Sequence, residues 1–145
     1  MQFKNKMKYT KLLLLSGFLF FCLKSQSQNE KASSIHPGEI WKDTDGVHIN
    51  AHGGGILYTK GTYYWFGEHK GETNDARVGV TCYSSKDLYN WKNEGIALPV
   101  SNDPNSEITS GCIIERPKVI YNSKTKKYVM WFHLELKGQS YKASR

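Results

Sequence analysis

The segment GCIIERPKVIYN, residues 111–122, sets an adjacent acid and base, Glu115 and Arg116, between an apolar run and a proline. Pro117 disfavours helical geometry at Arg116 and has no amide hydrogen for a ladder, so it belongs at a strand start or edge. Glu115 is then expected at a strand entrance, where its carboxylate reaches a cavity rather than a core; the alternative is a surface ion pair with Arg116 or another base. A second carboxylate, Glu68, closes the aromatic run YYWFGE, residues 63–68. Its alternative is an ordinary solvated loop acid. Carboxylates in an aromatic-lined, uncharged cleft suit carbohydrate chemistry. Sugars offer hydroxyls for bidentate hydrogen bonds and apolar ring faces for Trp or Tyr, and their hydrolysis uses paired acids. Trp65, Trp131 and Tyr141 are candidate platforms, with burial in a core as the competing role for the tryptophans. His133, which follows Trp131 and Phe132, reads as a structural histidine.

Other chemistries fit poorly. The stretch AHGGGILY around His52 looks like the oxyanion-hole motif of some esterases, but that fold needs a G-x-S-x-G elbow and alternating helices, and neither is present. A phosphate loop fails too, because the glycines run into Ile-Leu-Tyr rather than Gly-Lys-Ser/Thr opening a helix. Zinc has no C-x-x-C, and His48 and His52 have helical spacing in a Gly-rich stretch that should not be helical. No metal or cofactor is called for. What three successive glycines permit is close approach of the backbone to a ligand or to neighbouring strands.

The elements that must position these residues are strands. GGILYTKGTYYWFGE carries two β-rich runs, residues 56–59 and 62–67, around Lys60-Gly61, which suits a two-residue hairpin turn. A third run spans residues 78–84 after the polar loop HKGETNDA, and in SSKDLYNW the spacing of Leu88 and Trp91 suits one helical turn or a compact loop. KVIYNSKTKKYVMWFHLE, residues 118–135, repeats the form of residues 55–68, with Tyr58 aligned to Tyr121 and Trp65 to Trp131, a period of 63 to 66 residues. Such a period suits a four-stranded propeller blade, and the fold class expected is all-β. A plain sandwich with two similar hairpins is the alternative. On the propeller reading the chain covers blade one and part of blade two, reaching the start of a third strand at YKAS, residues 141–144.

Lys4, Lys6, Lys8 and Lys11 precede the apolar run LLLLSGFLFFCL, and Ser25-Gln26-Ser27 follows it. That is an export signal, with cleavage expected near Ser27 or Gln28; an uncleaved anchor is the alternative, and Cys22 as a lipidated cysteine is disfavoured by bulky Phe21. Residues 1–27 are therefore read as a signal peptide, 28–36 as a polar linker and 37–145 as a partial β-domain, placed in the periplasm or outside the cell. Removing residues 1–27 takes away five of the 20 basic residues and no acid, leaving 15 bases against 13 acids. The mature balance gives no support to a nucleic-acid partner or a stable membrane span. Lys124, Lys126 and Lys127 read as a solvated hairpin tip. Export permits a disulfide between Cys82 and Cys112, while their apolar settings equally suit buried free thiols.

NAHGGGILYTKGTYYWFGEHK, YSSKDLYNW and ERPKVIYNSKTKKYVMWFH together resemble the amino-terminal part of the exo-acting galactan 1,3-β-galactosidases of glycoside hydrolase family 43, over residues 36–145. The S-x-D-L-x-x-W element is common to several propeller glycosidases; H-G-G-G-I followed by E-R-P-K-V is far more specific. The resemblance implies a five-bladed β-propeller with a central site that releases galactose from β-1,3-galactan with inversion. It makes Glu115 the active-site carboxylate of the second blade, which holds substrate and tunes the acid, and Glu68 a sugar-contacting carboxylate of the first. Tyr141 matches a substrate-contacting tyrosine. His52 falls where related enzymes carry a general-base aspartate, and the lack of Asp there agrees with this subgroup's departure from the usual base. The general acid, a glutamate of a third blade, has no counterpart in these 145 residues, so the chain alone is expected to be inactive. A non-catalytic, carbohydrate-binding propeller remnant is the competing reading.

Overall fold

The structure is a computed structural model that describes residues 31–142. Residues 1–27, where an export signal is expected, and the first residues of the expected linker lie outside the described residues, as does Ser144. Six strands follow in order: β1 (His52–Thr59), β2 (Thr62–Glu68), β3 (Gly79–Ser85), β4 (Lys92–Pro99), β5 (Ile113–Asn122) and β6 (Lys127–Glu135), and then a 3-10 turn at Ser140–Lys142. The strand expected to start at Tyr141 is that turn instead. The fold is all-β, with β1 to β4 an antiparallel sheet in chain order and β5 and β6 a second antiparallel pair. Among the described residues no helix is long and apolar enough to cross a membrane.

Local chemistry fixes the connections. Lys60 and Gly61 both have positive φ, 48° and 72°, between the paired Thr59 and Thr62. That is the turn whose twist matches flanking strands. In SSKDLYNW the Ser85 hydroxyl accepts from the Leu88 amide at 2.9 Å and the Asp87 carboxylate from the Asn90 amide at 2.8 Å. The result is a compact loop that drops Trp91 into the interior, where its indole N–H donates to the Leu88 carbonyl at 3.0 Å. Ala32, within the stretch read as linker, is fastened to the same loop through both amide atoms of Asn90, at 2.8 and 2.9 Å.

Two apolar clusters flank the first sheet. On one face Val80, Cys112, Ile114 and Leu134 are buried with Phe66 and Met130 against them, joining the two sheets. On the other, Trp65 packs 5.3 Å from Trp91 and 5.7 Å from Trp41, over Tyr83. Trp65 is therefore a core residue, whereas Trp131 is 66% exposed. Cys82 and Cys112 are both buried and free, so the choice left open by the sequence resolves to two thiols. Burial, aided by Glu94, pushes Cys82 up to about 11, and burial raises Cys112 as well.

The internal repeat is real, and its register differs from the sequence alignment. Gly55 faces Phe66 and Tyr58 faces Tyr63 in the first hairpin; Lys118 faces Trp131 and Tyr121 faces Tyr128 in the second. Trp131 thus corresponds to Phe66 and not to Trp65. A slip of one residue moves a side chain to the opposite face, which is why the two tryptophans have such different surroundings. The tyrosine pairs match, with ring centroids 4.6 Å and 5.0 Å apart. Each hairpin also carries one bulge, between His52 and Gly55 and between Glu115 and Lys118. Pro117 is accordingly not at a strand start but on an edge strand: it is the fifth residue of β5, buried in the bulge, where no ladder donor is required.

Candidate active site

The bulge in β5 builds the site. Arg116 takes a φ of 52°, a left-handed conformation unusual for a non-glycine residue, and its amide leaves the ladder to donate to Glu68 Oε1 at 2.7 Å. This answers why two charges and a proline interrupt an apolar strand: the break frees one amide for a carboxylate of the neighbouring sheet. Gly53, the matching position of β1 with a φ of 54°, lies against the same atoms. A Cβ there would come 2.7 Å from Glu68 Oε1, so the first glycine of HGGG makes room for the carboxylate. Close approach continues at Lys118, whose ammonium donates to the carbonyls of Gly53 and Gly54 at 3.1 and 2.9 Å.

Glu68 and Glu115 are 5% and 8% exposed, and each has polar partners. Glu115 Oε1 accepts from the Tyr141 hydroxyl at 2.7 Å, and Oε2 accepts from Arg116 Nη1 at 3.0 Å. Lys70 Nζ stands 2.7 Å from Glu68 Oε2 and 3.7 Å from Glu115 Oε1. Burial pushes the Glu115 carboxyl upward, but the Tyr141 hydrogen bond and the charges of Lys70, Arg116 and His133 outweigh it and hold the group below its ordinary value. The same hydrogen bond raises Tyr141, so the phenol stays a donor. The His133 ring stacks on Tyr141, with centroids 6.2 Å apart and planes 15° apart. Its Nε2 lies 3.0 Å from Oε1 of fully buried Glu135, without the alignment of a hydrogen bond.

Of the four residues to which the family resemblance gives site roles, three, Glu115, Glu68 and Tyr141, meet in this cluster. His52 stands opposite Glu68 in the β1–β2 register and is exposed. Glu115 lies within β5 at its bulge rather than at the strand entrance; Trp65 packs in the core of the first sheet instead of forming a platform, and Trp131 is exposed on β6 opposite Lys118. Sequence reasoning missed Lys70 and Asn50; the available signal was a lysine two residues beyond Glu68. Among the described residues no group of three or more His, Cys, Asp or Glu is arranged to hold a metal. Among the described residues the two larger cavities lie elsewhere, one of about 560 Å³ between residues 31–44 and Tyr89, the other of about 450 Å³ between the sheets at Leu57, Tyr64 and Val119. A carboxylate held ionised is a poor general acid at neutral pH and a good acceptor for hydroxyls.

No profile of a known family and no curated protein sequence matches the chain. Solved structures do. A β-1,3-galactosidase of family GH43, solved with galactodeoxynojirimycin, is 62% identical with a TM-score of 0.72, covering 74% of this chain and 32% of its own. The exo-β-1,3-galactanase of Phanerochaete chrysosporium, solved with β-1,3-galactotriose, is 43% identical with a TM-score of 0.69 over 75% of this chain and 24% of its own. That of Clostridium thermocellum is 46% identical with a TM-score of 0.62, covering 70% and 21%. The chain therefore spans a third or less of the length of these relatives.

Proposed function

We propose a function from the premise that the chain belongs to glycoside hydrolase family 43, alongside the β-1,3-galactosidases and exo-β-1,3-galactanases it matches. It supplies the first blade and part of the second blade of a five-bladed propeller that hydrolyses β-1,3-galactan with inversion, in an exported enzyme whose signal is residues 1–27 and whose partial catalytic domain is residues 37–145. The observation that carries this reading is the meeting of two buried carboxylates from different sheets, Glu68 and Glu115, at one ammonium. In the proposed site both accept hydrogen bonds from galactose hydroxyls, and Tyr141 orients Glu115 and touches the sugar. Glu115 keeps its negative charge beside the developing oxocarbenium ion. His52 occupies the position where related enzymes place a base, opposite Glu68.

Protonation of the leaving oxygen needs a carboxylic acid with a raised pKa, and Glu115 is shifted the other way. That acid is assigned to a further blade, so the chain by itself binds without turning over. The test is galactose release from β-1,3-galactan by purified residues 28–145. No release is expected, and appreciable release would refute the assignment of the acid elsewhere. Binding of the sugar without turnover, persisting when the chain is extended by a third blade, would instead mark a carbohydrate-binding remnant.

A further inference from the structure

Lys70 follows β2 in a polar loop, yet its backbone is pinned: its amide donates to Asn50 Oδ1 at 2.8 Å and its carbonyl accepts from Asn50 Nδ2 at 2.7 Å. Asn50 is itself fixed, since its amide donates to the Tyr83 hydroxyl at 3.1 Å and its carbonyl accepts from the Thr81 hydroxyl at 2.6 Å. The two-point amide clamp aims the Lys70 side chain, which is 23% exposed, at the carboxylates of both sheets and at Asn74 Oδ1, 3.4 Å away. An ammonium placed between two carboxylates favours their charged form, which like charges near one another would disfavour. Arg116 is a weaker counter-charge: its guanidinium meets only Glu115, and its side chain is 68% exposed, so water screens it.

We infer that Lys70 is a positioning residue: anchored by Asn50, it ties Glu68 of the first sheet to Glu115 of the second and keeps both as acceptors for the hydroxyls of a neutral sugar. The ligand class rests on the function proposed above; the tie between the carboxylates rests on geometry alone. Glu115 is faced by Lys70 from the loop after β2, Glu68 on β2, Arg116 on β5, His133 on β6 and Tyr141 from the 3-10 turn. Of these, Lys70 is the cation that joins the two acids through its side chain.

Carbon-detected NMR titration of the glutamate carboxyls in the 145-residue chain tests this, comparing the wild type with Lys70→Met and Lys70→Arg. The Glu115 midpoint is expected to move to higher pH in Lys70→Met and to return toward the wild-type value in Lys70→Arg. Lys70→Gln, which keeps a donor to Glu68 but no charge, gives the same upward shift and serves where methionine disturbs folding. An unmoved midpoint in both uncharged variants, or an equal shift in Lys70→Arg, overturns the assignment. A failed galactan assay leaves this titration untouched, so the two readings can fail separately.

Discussion

In the first hairpin Gly53, at a φ of 54°, follows His52, and His52 faces Glu68 across the ladder; in the second Arg116, at 52°, follows Glu115, and Glu115 faces His133. The backbone bend is the same, and the acid and the histidine have changed strands. Bulge position, left-handed residue and tyrosine pair are all duplicated, while the side chains around the bulge are assigned afresh in each copy. The exchange matters because the acid on the second strand of one hairpin and the acid on the first strand of the next come within reach of one ammonium. The repeated scaffold sets where side chains can meet. The chemistry depends on which residue is placed there.

The comparison can be broken most forcefully at the third residue of each bulge. A Cβ on Gly54 would overlap the Trp65 indole nitrogen and the Phe66 carbonyl oxygen, and the backbone cannot yield as a flexible side chain would. Gly54→Ala is expected to cost about 3 kcal/mol in urea unfolding. Pro117→Ala, at the matching site, loses only ring packing, about 1 kcal/mol. Equal small losses would mean the two bulges are not equivalent in their packing demands.

Glu115 sharpens the contrast between the hairpins through acid. Its folded carboxyl is held below the unfolded value of about 4.3, so its contribution is fully present above that pH and is lost as pH falls through the folded value. Glu115→Gln should therefore lower stability by about 1 kcal/mol at pH 7 and flatten the acid limb of a stability-against-pH curve. A curve of unchanged shape would remove this carboxylate from the network. The smallest effect is expected at Arg116→Gly, which makes the second bulge a copy of the first. Relief of the left-handed conformation offsets the greater entropy of glycine and the lost ion pair, leaving a gain of about 0.5 kcal/mol in the same unfolding experiment.

The sequence made the all-β class, the Lys60-Gly61 turn and the repeat legible because each leaves a local mark: β-branched and aromatic runs, a residue pair that tolerates positive φ, and recurring tyrosines. β4 left none. Its residues, KNEGIALP, are nearly all exposed, and its pairing with β3 breaks register twice, so no alternation of apolar and polar residues announces it. The bulges were equally silent, since an inserted residue looks like any other until the partner strand is known. That silence put Glu115 at a strand entrance rather than inside β5 and shifted Trp131 by one position. In the site, Glu68 and Glu115 were legible through their flanking motifs and the family resemblance, and Tyr141 through the resemblance without a motif of its own. Lys70 and Asn50 were not, because they meet through a backbone clamp that no spacing rule describes.

The register that separates Trp131 from the other tryptophans gives the molecule two optical populations. Of its four indoles, Trp41, Trp65 and Trp91 lie within 6.4 Å of a neighbour in one cluster, whereas Trp131 stands in water on the second sheet. Iodide can collide with Trp131 and is kept from Trp91, which is 1% exposed. Quenchable emission therefore reports whatever comes to rest on the second sheet, and the protected remainder reports whether the first sheet is still folded.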